Sequence, residues 1–154
     1  LEYDLVRRLI GNASPDFRND VPGTAAYDGG DPHLPYLMSI YHLGQVDRAR
    51  RYARVLLDYN SASRFLGPSG KGAMGVICLL VLGDKEAAIN EFTRAVDAGW
   101  LGYYQAELDN DVLYQDIKIE PRVQNLVKKI DQSLDEQKPM VYQELIRQGI
   151  VRSI

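Results

Sequence analysis

The sequence contains few of the residues from which covalent and metal-based sites are built. Its 154 residues include one cysteine, Cys78, and two histidines, His33 and His42. A single cysteine excludes an intrachain disulfide and a zinc site made of several thiolates. Two histidines would need carboxylates to complete a zinc ligand set, and they support no Ser-His-Asp arrangement. We therefore expect no metal, no cofactor and no catalytic residue, and we expect Cys78 to be an inert core residue.

Charge and hydropathy also exclude two classes of partner. The net charge is −3, with 45% hydrophobic and 25% charged residues, as in ordinary globular domains. Nucleic-acid binding normally needs clustered Lys and Arg, which are lacking here. No stretch approaches the roughly 18 apolar residues that span a bilayer. We expect a single domain over residues 1–154, with no nucleic-acid binding and no membrane insertion.

The N-terminal residue bears on the origin of the chain. It is Leu1 rather than Met, so we expect the chain to be part of a longer protein. The localisation stays open between the cytoplasm and the periplasmic side of a membrane-anchored parent.

Apolar residues recur with a helical period along most of the chain. The pattern predicts an N-terminal helix and loop over residues 1–32, a helical hairpin over 33–58, a second hairpin over 71–99 and a C-terminal helical cap over 100–154. Residues 73–82 are apolar on all sides, which fits a strand as well as an enclosed helix. The amphipathic helix that follows them favours the helix.

Capping residues predict where these helices begin and end. Asp31 and Pro32 suit the start of the first hairpin, Asp84 is placed to cap the second helix of the second hairpin, and Gly99 to end it. Pro139 should break or kink the chain before a last short helix.

One short motif occurs twice. The stretch LGQVDRA, which contains Gly44 and Ala49, returns 39 residues later as LGDKEAA, which contains Gly83 and Ala88. A glycine allows the tight turn between antiparallel helices, and a small alanine lets the second helix approach the first closely. The motif therefore predicts two related hairpins.

This spacing resembles the tetratricopeptide repeat. A glycine is followed five residues on by alanine, four further on by an aromatic residue, and three further on by alanine. The second copy matches at all four positions, with Gly83, Ala88, Phe92 and Ala95. The first copy has Ala53 and Leu56 at the last two positions, and both copies lack the family's first-helix Trp and Leu-Gly signature. The resemblance implies an all-α, right-handed superhelix of hairpins.

The segment after the hairpins resembles the end of such repeat regions in bacterial signalling proteins. There a Gly-Trp closes the last repeat, and an acidic link leads to a helix start, for which this chain has IKIEPRVQ. The proteins concerned include winged-helix transcriptional regulators and nucleotide cyclases. The resemblance implies a non-catalytic regulatory module of a larger bacterial protein.

A glycine-rich stretch, FLGPSGKGAMG, suggests a phosphate-binding loop. A P-loop needs glycine, four residues, and then Gly-Lys-Ser/Thr. Here Lys71 follows Gly70, but Phe65 takes the place of the first glycine and Gly72 that of the hydroxyl. We expect a connection between the hairpins.

An acidic stretch, DNDVLYQDIKIE, suggests a calcium loop. Asp109, Asp111 and Glu120 fall at positions one, three and twelve, but Leu113 and Tyr114 stand where an EF-hand has a ligand and a glycine. We expect these acids to lie near helix starts in solvent.

The repeat register predicts a concave, mostly apolar surface on the first helix of each hairpin. Its members are Leu34, Met38, Tyr41 and His42 in the first copy and Ala73, Ile77 and Leu80 in the second. Such a surface needs a cover, from the C-terminal helices over 121–148, from a second copy of the chain or from a partner. Our candidate binding residues are Leu34, Met38, Tyr41, His42 and Ile77. The function expected is binding of a protein or peptide, and the alternative is a small-molecule sensor with its ligand between groove and cap.

Overall fold

The computed structural model describes residues 33–62, 71–99, 108–109 and 112–151, and for 60–62 and 71–73 the backbone alone. All regular structure in these ranges is helical, which confirms the all-α prediction for them. The α-helices are α1 (His33–His42), α2 (Val46–Ala62), α3 (Lys71–Leu82), α4 (Lys85–Asp97), α5 (Gln115–Lys118) and α6 (Pro121–Arg147), and a 3₁₀ turn, Val112–Tyr114, precedes α5. The predicted N-terminal helix and the helix start at Asp31 lie outside the described residues, as do residues 63–70 of the loop predicted over 58–70. Residues 58–62 of that predicted loop are instead the last residues of α2.

The two hairpins turn through the same backbone motif. Gly44 follows α1 with φ 76°, and Gly83 follows α3 with φ 84°. The Gly83 amide donates to the carbonyl of Leu80 at 2.9 Å, and the next amide donates to Leu79 at 3.0 Å. The amides of Gly44 and the residue after it make the same two bonds to α1, at 2.9 and 3.0 Å. This pair of bonds is the Schellman arrangement, which needs a left-handed residue and so favours glycine.

Helix α4 begins and ends where the sequence predicts. The Asp84 carboxylate accepts a hydrogen bond from the amide of Ala87 at 3.0 Å, so it caps the first turn. The last helical residue is Asp97, and Gly99 follows with φ 91°. Both predicted signals are confirmed.

Four helices stack in chain order around one core. Each of α1 to α4 packs on the next, and α1 also contacts α3. The repeated alanines, Ala49 and Ala88, are fully buried. A small side chain at these positions lets the paired helices approach closely, so the repeat lies in the core.

Cys78 lies inside this core on α3. The side chain is fully buried, and burial raises the pKa of its thiol to about 12 because an apolar surrounding disfavours the thiolate. The predicted core position of Cys78 is confirmed, and its low reactivity stays a prediction.

The C-terminal segment corrects one prediction. Helix α6 continues through Pro139 to Arg147 without a break, so the predicted last short helix is the second half of one long helix. Proline removes the hydrogen bond to the carbonyl four residues earlier, that of Asp135. Asp135 is an exposed residue, so water is available to this carbonyl, and of the predicted break or kink the break does not occur.

Helix α6 runs in the same direction as α4, against which it packs. Arg122 near its start pairs with Glu86 in the first turn of α4 at 2.6 Å, and Lys129 pairs with Asp97 at the end of α4 at 2.5 Å. The two pairs, start to start and further along to end, show that the helices are parallel, while the burial of Val123 and Ile130 holds α6 on the core. Among the described helices, none is both long and apolar enough to cross a membrane.

Candidate functional site

Helix α1 divides into a buried face and a half-buried face. His33, Tyr36, Leu37 and Ile40 are buried between the hairpin helices. On the other side, Leu34, Met38 and Tyr41 are half-buried and pack against the edge of the core. Their spacing of four and three residues places them in one row along the helix. The structure therefore brings three of the five predicted residues together.

His42, the fourth predicted residue, ends α1 beside this row. Its ring meets the Tyr41 ring edge to face, with centroids 5.7 Å apart and an angle of 82° between the planes. Aromatic pairs prefer this geometry, so the two rings hold each other at the end of the row. We call the surface of Leu34, Met38, Tyr41 and His42 the α1 row.

Ile77, the fifth predicted residue, is separated from solvent. It is only 2% exposed, and its neighbour in the predicted surface, Leu80, is 8% exposed. The turn Val112–Tyr114 packs on α3 and buries Leu113 and Tyr114 in the same core. Ile77 therefore presents almost no surface to a partner. The side chain of Ala73 lies outside the described residues, and among the described members of the predicted surface the α1 row is the more exposed part.

A polar aromatic cluster orients α1 on α2, and sequence reasoning missed it. Nδ1 of His33 and the hydroxyl of Tyr52 lie 2.7 Å apart in the core. Arg48 donates to the hydroxyl of Tyr36 at 2.7 Å, and its guanidinium carbon lies 5.8 Å from the centre of that ring. The rings of Tyr36 and Tyr52 meet edge to face at 5.3 Å.

These contacts join residues 12 to 19 positions apart on two helices, so no short sequence pattern predicts them. A high tyrosine count, ten in the chain, was the one sequence signal. Buried polar groups bonded to one another fix a single arrangement of the helices that carry them. The cluster therefore sets which face of α1 is turned outward.

The acidic stretch before α6 is packed in a way that does not suit calcium. Leu113 and Tyr114, at the loop positions that need a ligand and a glycine, are buried in the core. Asp109 forms an ion pair with Lys118 at 2.5 Å. Across the part of the chain that the structure describes, no cluster of three His, Cys, Asp or Glu side chains could hold a metal ion.

Comparisons of the chain with protein-family models, with curated proteins and with solved structures find no match. The arguments for a function therefore come from the geometry of the described residues and from the repeat.

Proposed function

We propose that the chain is a tetratricopeptide-like domain that binds a peptide or helix of a partner protein along the α1 row. In this proposal it is a non-catalytic regulatory module of a larger bacterial signalling protein. The hairpins form a right-handed superhelix, and the C-terminal segment caps it.

The repeat supports the superhelical part of the proposal. Equivalent glycines 39 residues apart make equivalent hydrogen bonds at the two turns, and the first helices of the two hairpins contact each other. Hairpins that repeat one turn and stack in order build a superhelix with the first helices on one surface.

The half-buried row of Leu34, Met38 and Tyr41 is the observation that carries the binding proposal. The adjoining region of α3 is covered by Leu113 and Tyr114, which are inserted from another part of the same chain. This intrachain contact illustrates the kind of apolar side chain that such a surface accepts. A partner would place one or two large apolar side chains on the α1 row beside it.

The charge of α1 defines the chemistry of that partner. Helix α1 contains no Asp, Glu, Lys or Arg, and the row ends in the Tyr41 and His42 rings. Affinity would therefore come from apolar and aromatic contacts. Because α1 offers a partner no Asp, Glu, Lys or Arg side chain, we expect binding to depend little on salt concentration.

The test is selection of displayed 12-residue peptides on the chain, followed by affinity measurement with labelled peptides. Met38→Ala should weaken binding at least fivefold, since loss of a central apolar contact costs more than about 1 kcal/mol. Val55→Ala is the matched control, because Val55 is 39% exposed on α2, outside the row. The control should bind within twofold of the native chain, and raising NaCl from 50 to 500 mM should change affinity by less than threefold.

Two results would contradict the proposal. Peptides that bind the native chain and Met38→Ala with equal affinity would show that the binding site lies outside the α1 row. A saturable rise in melting temperature with one small molecule, in the absence of any peptide binder, would instead favour a sensor.

A further inference from the structure

The second half of α6 extends beyond the helix on which the first half packs. Lys129 of α6 already lies beside Asp97, the last residue of α4. The buried residues of α6 are Val123 and Ile130, both before this point or next to it. At 1.5 Å per residue, residues 131–147 continue for about 25 Å past the end of α4. We call residues 131–147 the α6 extension.

The α6 extension continues the apolar stripe that its first half buries. Leu134, Val141 and Leu145 lie on one side of the helix, with the aliphatic stem of Lys138 between them. Val141 is 56% exposed, and the adjacent Tyr142 is 40% exposed. Leu134 and Leu145, at the two ends of the stripe, are half-buried. An apolar helix face of this length is typical of an interaction surface.

The acids that flank the stripe between Leu134 and Leu145 are paired within the helix. Asp135 on one flank pairs with Lys138 at 2.7 Å, and Glu144 on the other flank pairs with Arg147 at 2.6 Å. Hydrogen bonds from Arg147 and then from Gln148 hold the pKa of Glu144 below its ordinary value. These two pairs reduce the repulsion that Asp135 and Glu144 would otherwise cause between two identical surfaces.

The spacing of the stripe is the same in both directions. Successive members, from Leu134 through Lys138 and Val141 to Leu145, are four, three and four residues apart. In an antiparallel pair, Leu134 would lie opposite Leu145 of the partner subunit, and Lys138 opposite Val141 of the partner subunit. Layers of this kind interlock along a helix pair. The antiparallel direction also places the two four-helix stacks α1–α4 toward opposite ends of the pair.

We propose that the α6 extension pairs antiparallel with the α6 extension of a second copy of this chain, and so forms a two-fold symmetric dimer. Such an interface is isologous, because each subunit contributes the same surface. The α1 row lies on another helix and is not part of it. The dimer would present two α1 rows, so a partner with two binding segments would bind with higher overall affinity than a partner with one.

Sedimentation equilibrium of the 154-residue chain from 1 to 200 µM tests the dimer. We expect a concentration-dependent monomer–dimer equilibrium for the native chain, and a dissociation constant at least tenfold higher for Val141→Asp. Met140→Asp is the matched control: Met140 is the preceding residue of the same helix, is 64% exposed and points away from the stripe. It should leave the dissociation constant within twofold. Both side chains are exposed, so circular dichroism of both variants should show native helicity.

Cross-linking tests the direction of the pair. Leu134→Cys alone and Leu145→Cys alone should form few cross-linked dimers, whereas an equal mixture of the two should form them readily. Cys78 is buried and should not interfere.

Three outcomes would overturn the proposal. A native chain that stays monomeric at 200 µM would show that no second copy binds, and that the stripe is covered within the chain or by another protein. Equal effects of Val141→Asp and Met140→Asp on the dissociation constant would show that the stripe is not part of the interface. Cross-linking of Leu134→Cys with itself would exclude the antiparallel direction.

Discussion

The glycine turns provide the sharpest test of the repeat. Gly83 has a φ of 84°, and a Cβ added there would meet no atom within 4 Å. Gly83→Ala would therefore introduce no clash, and its cost would come from the backbone alone. An L-residue in the left-handed conformation costs about 1–2 kcal/mol. Alanine also lowers the conformational entropy of the unfolded chain relative to glycine, and this offsets about 0.4–1 kcal/mol of that cost.

We expect Gly83→Ala to lower the free energy of unfolding by about 1 kcal/mol. Gly83→Asn should cost less, since asparagine visits the left-handed region more readily than alanine. Gly44 has the same surroundings, with φ 76° and no atom within 4 Å of an added Cβ. Gly44→Ala should therefore match Gly83→Ala, and the double variant should lose about 2 kcal/mol if the turns act independently.

Urea unfolding followed by circular dichroism at 222 nm measures these differences, and the comparison requires the same m-value in all variants. A Gly83→Ala chain as stable as the native chain, or more stable, would refute the reasoning. At an ordinary helical position that substitution is stabilising, so such a result would mean that the turn is not left-handed in solution.

Two further predictions concern side chains in the second hairpin. Asp84→Ala should cost about 1 kcal/mol by urea unfolding, because the amide of Ala87 loses its cap, and Asp84→Asn should restore most of the loss. Native Cys78 should react with a disulfide reagent at pH 8 no faster than the chain unfolds, because burial raises the pKa of its thiol to about 12. Complete labelling within seconds in native buffer would contradict this expectation.

Local chemistry accounts for what the sequence predicts well. The turn at Gly83 and the cap at Asp84 depend on residues within one or two helical turns of each other, so their spacing in the chain is their spacing in space. The apolar residues of α2 and α4 that face inward can also be predicted locally, because they recur with the 3.6-residue period of a helix. These elements needed no knowledge of the rest of the fold.

Long-range contacts account for what it predicts poorly. The break expected at Pro139 fails because the cost of proline depends on whether the released carbonyl reaches water, which is a property of exposure. Ile77 was expected on an accessible surface, but the turn Val112–Tyr114 packs on its helix from more than thirty residues away in the chain. The parallel course of α6 beside α4 brings together residues 32 and 36 positions apart, as its two ion pairs with α4 show. Neither periodicity nor capping residues carry this information.

The two hairpins also show how one backbone repeat can carry different chemistry. Adding 39 to the positions of Tyr36 and Tyr52 gives Gly75 and Glu91. The tyrosine rings meet edge to face at 5.3 Å in the first hairpin. In the second, a Cβ added to Gly75 would come within 2.7 Å of a carboxylate oxygen of Glu91. Equivalent positions are therefore in contact in both hairpins, although no side chain is shared.

Volume is compensated at neighbouring positions. The first hairpin has the fully buried Ala53 where the second has Phe92, which is 1% exposed. The first hairpin thus combines a tyrosine pair with an alanine, and the second combines a glycine with a phenylalanine, so that each fills its own interior. Such exchanges leave the glycine turns and the stacking of the helices unchanged, but they change which side chains in each hairpin are polar. The first hairpin alone has tyrosine hydroxyls at these positions for Arg48 and His33 to contact, so α1 is held by contacts that α3 does not have. A binding surface on α1 therefore has no chemical equivalent at the corresponding positions of α3, even though the two helices share one repeat register.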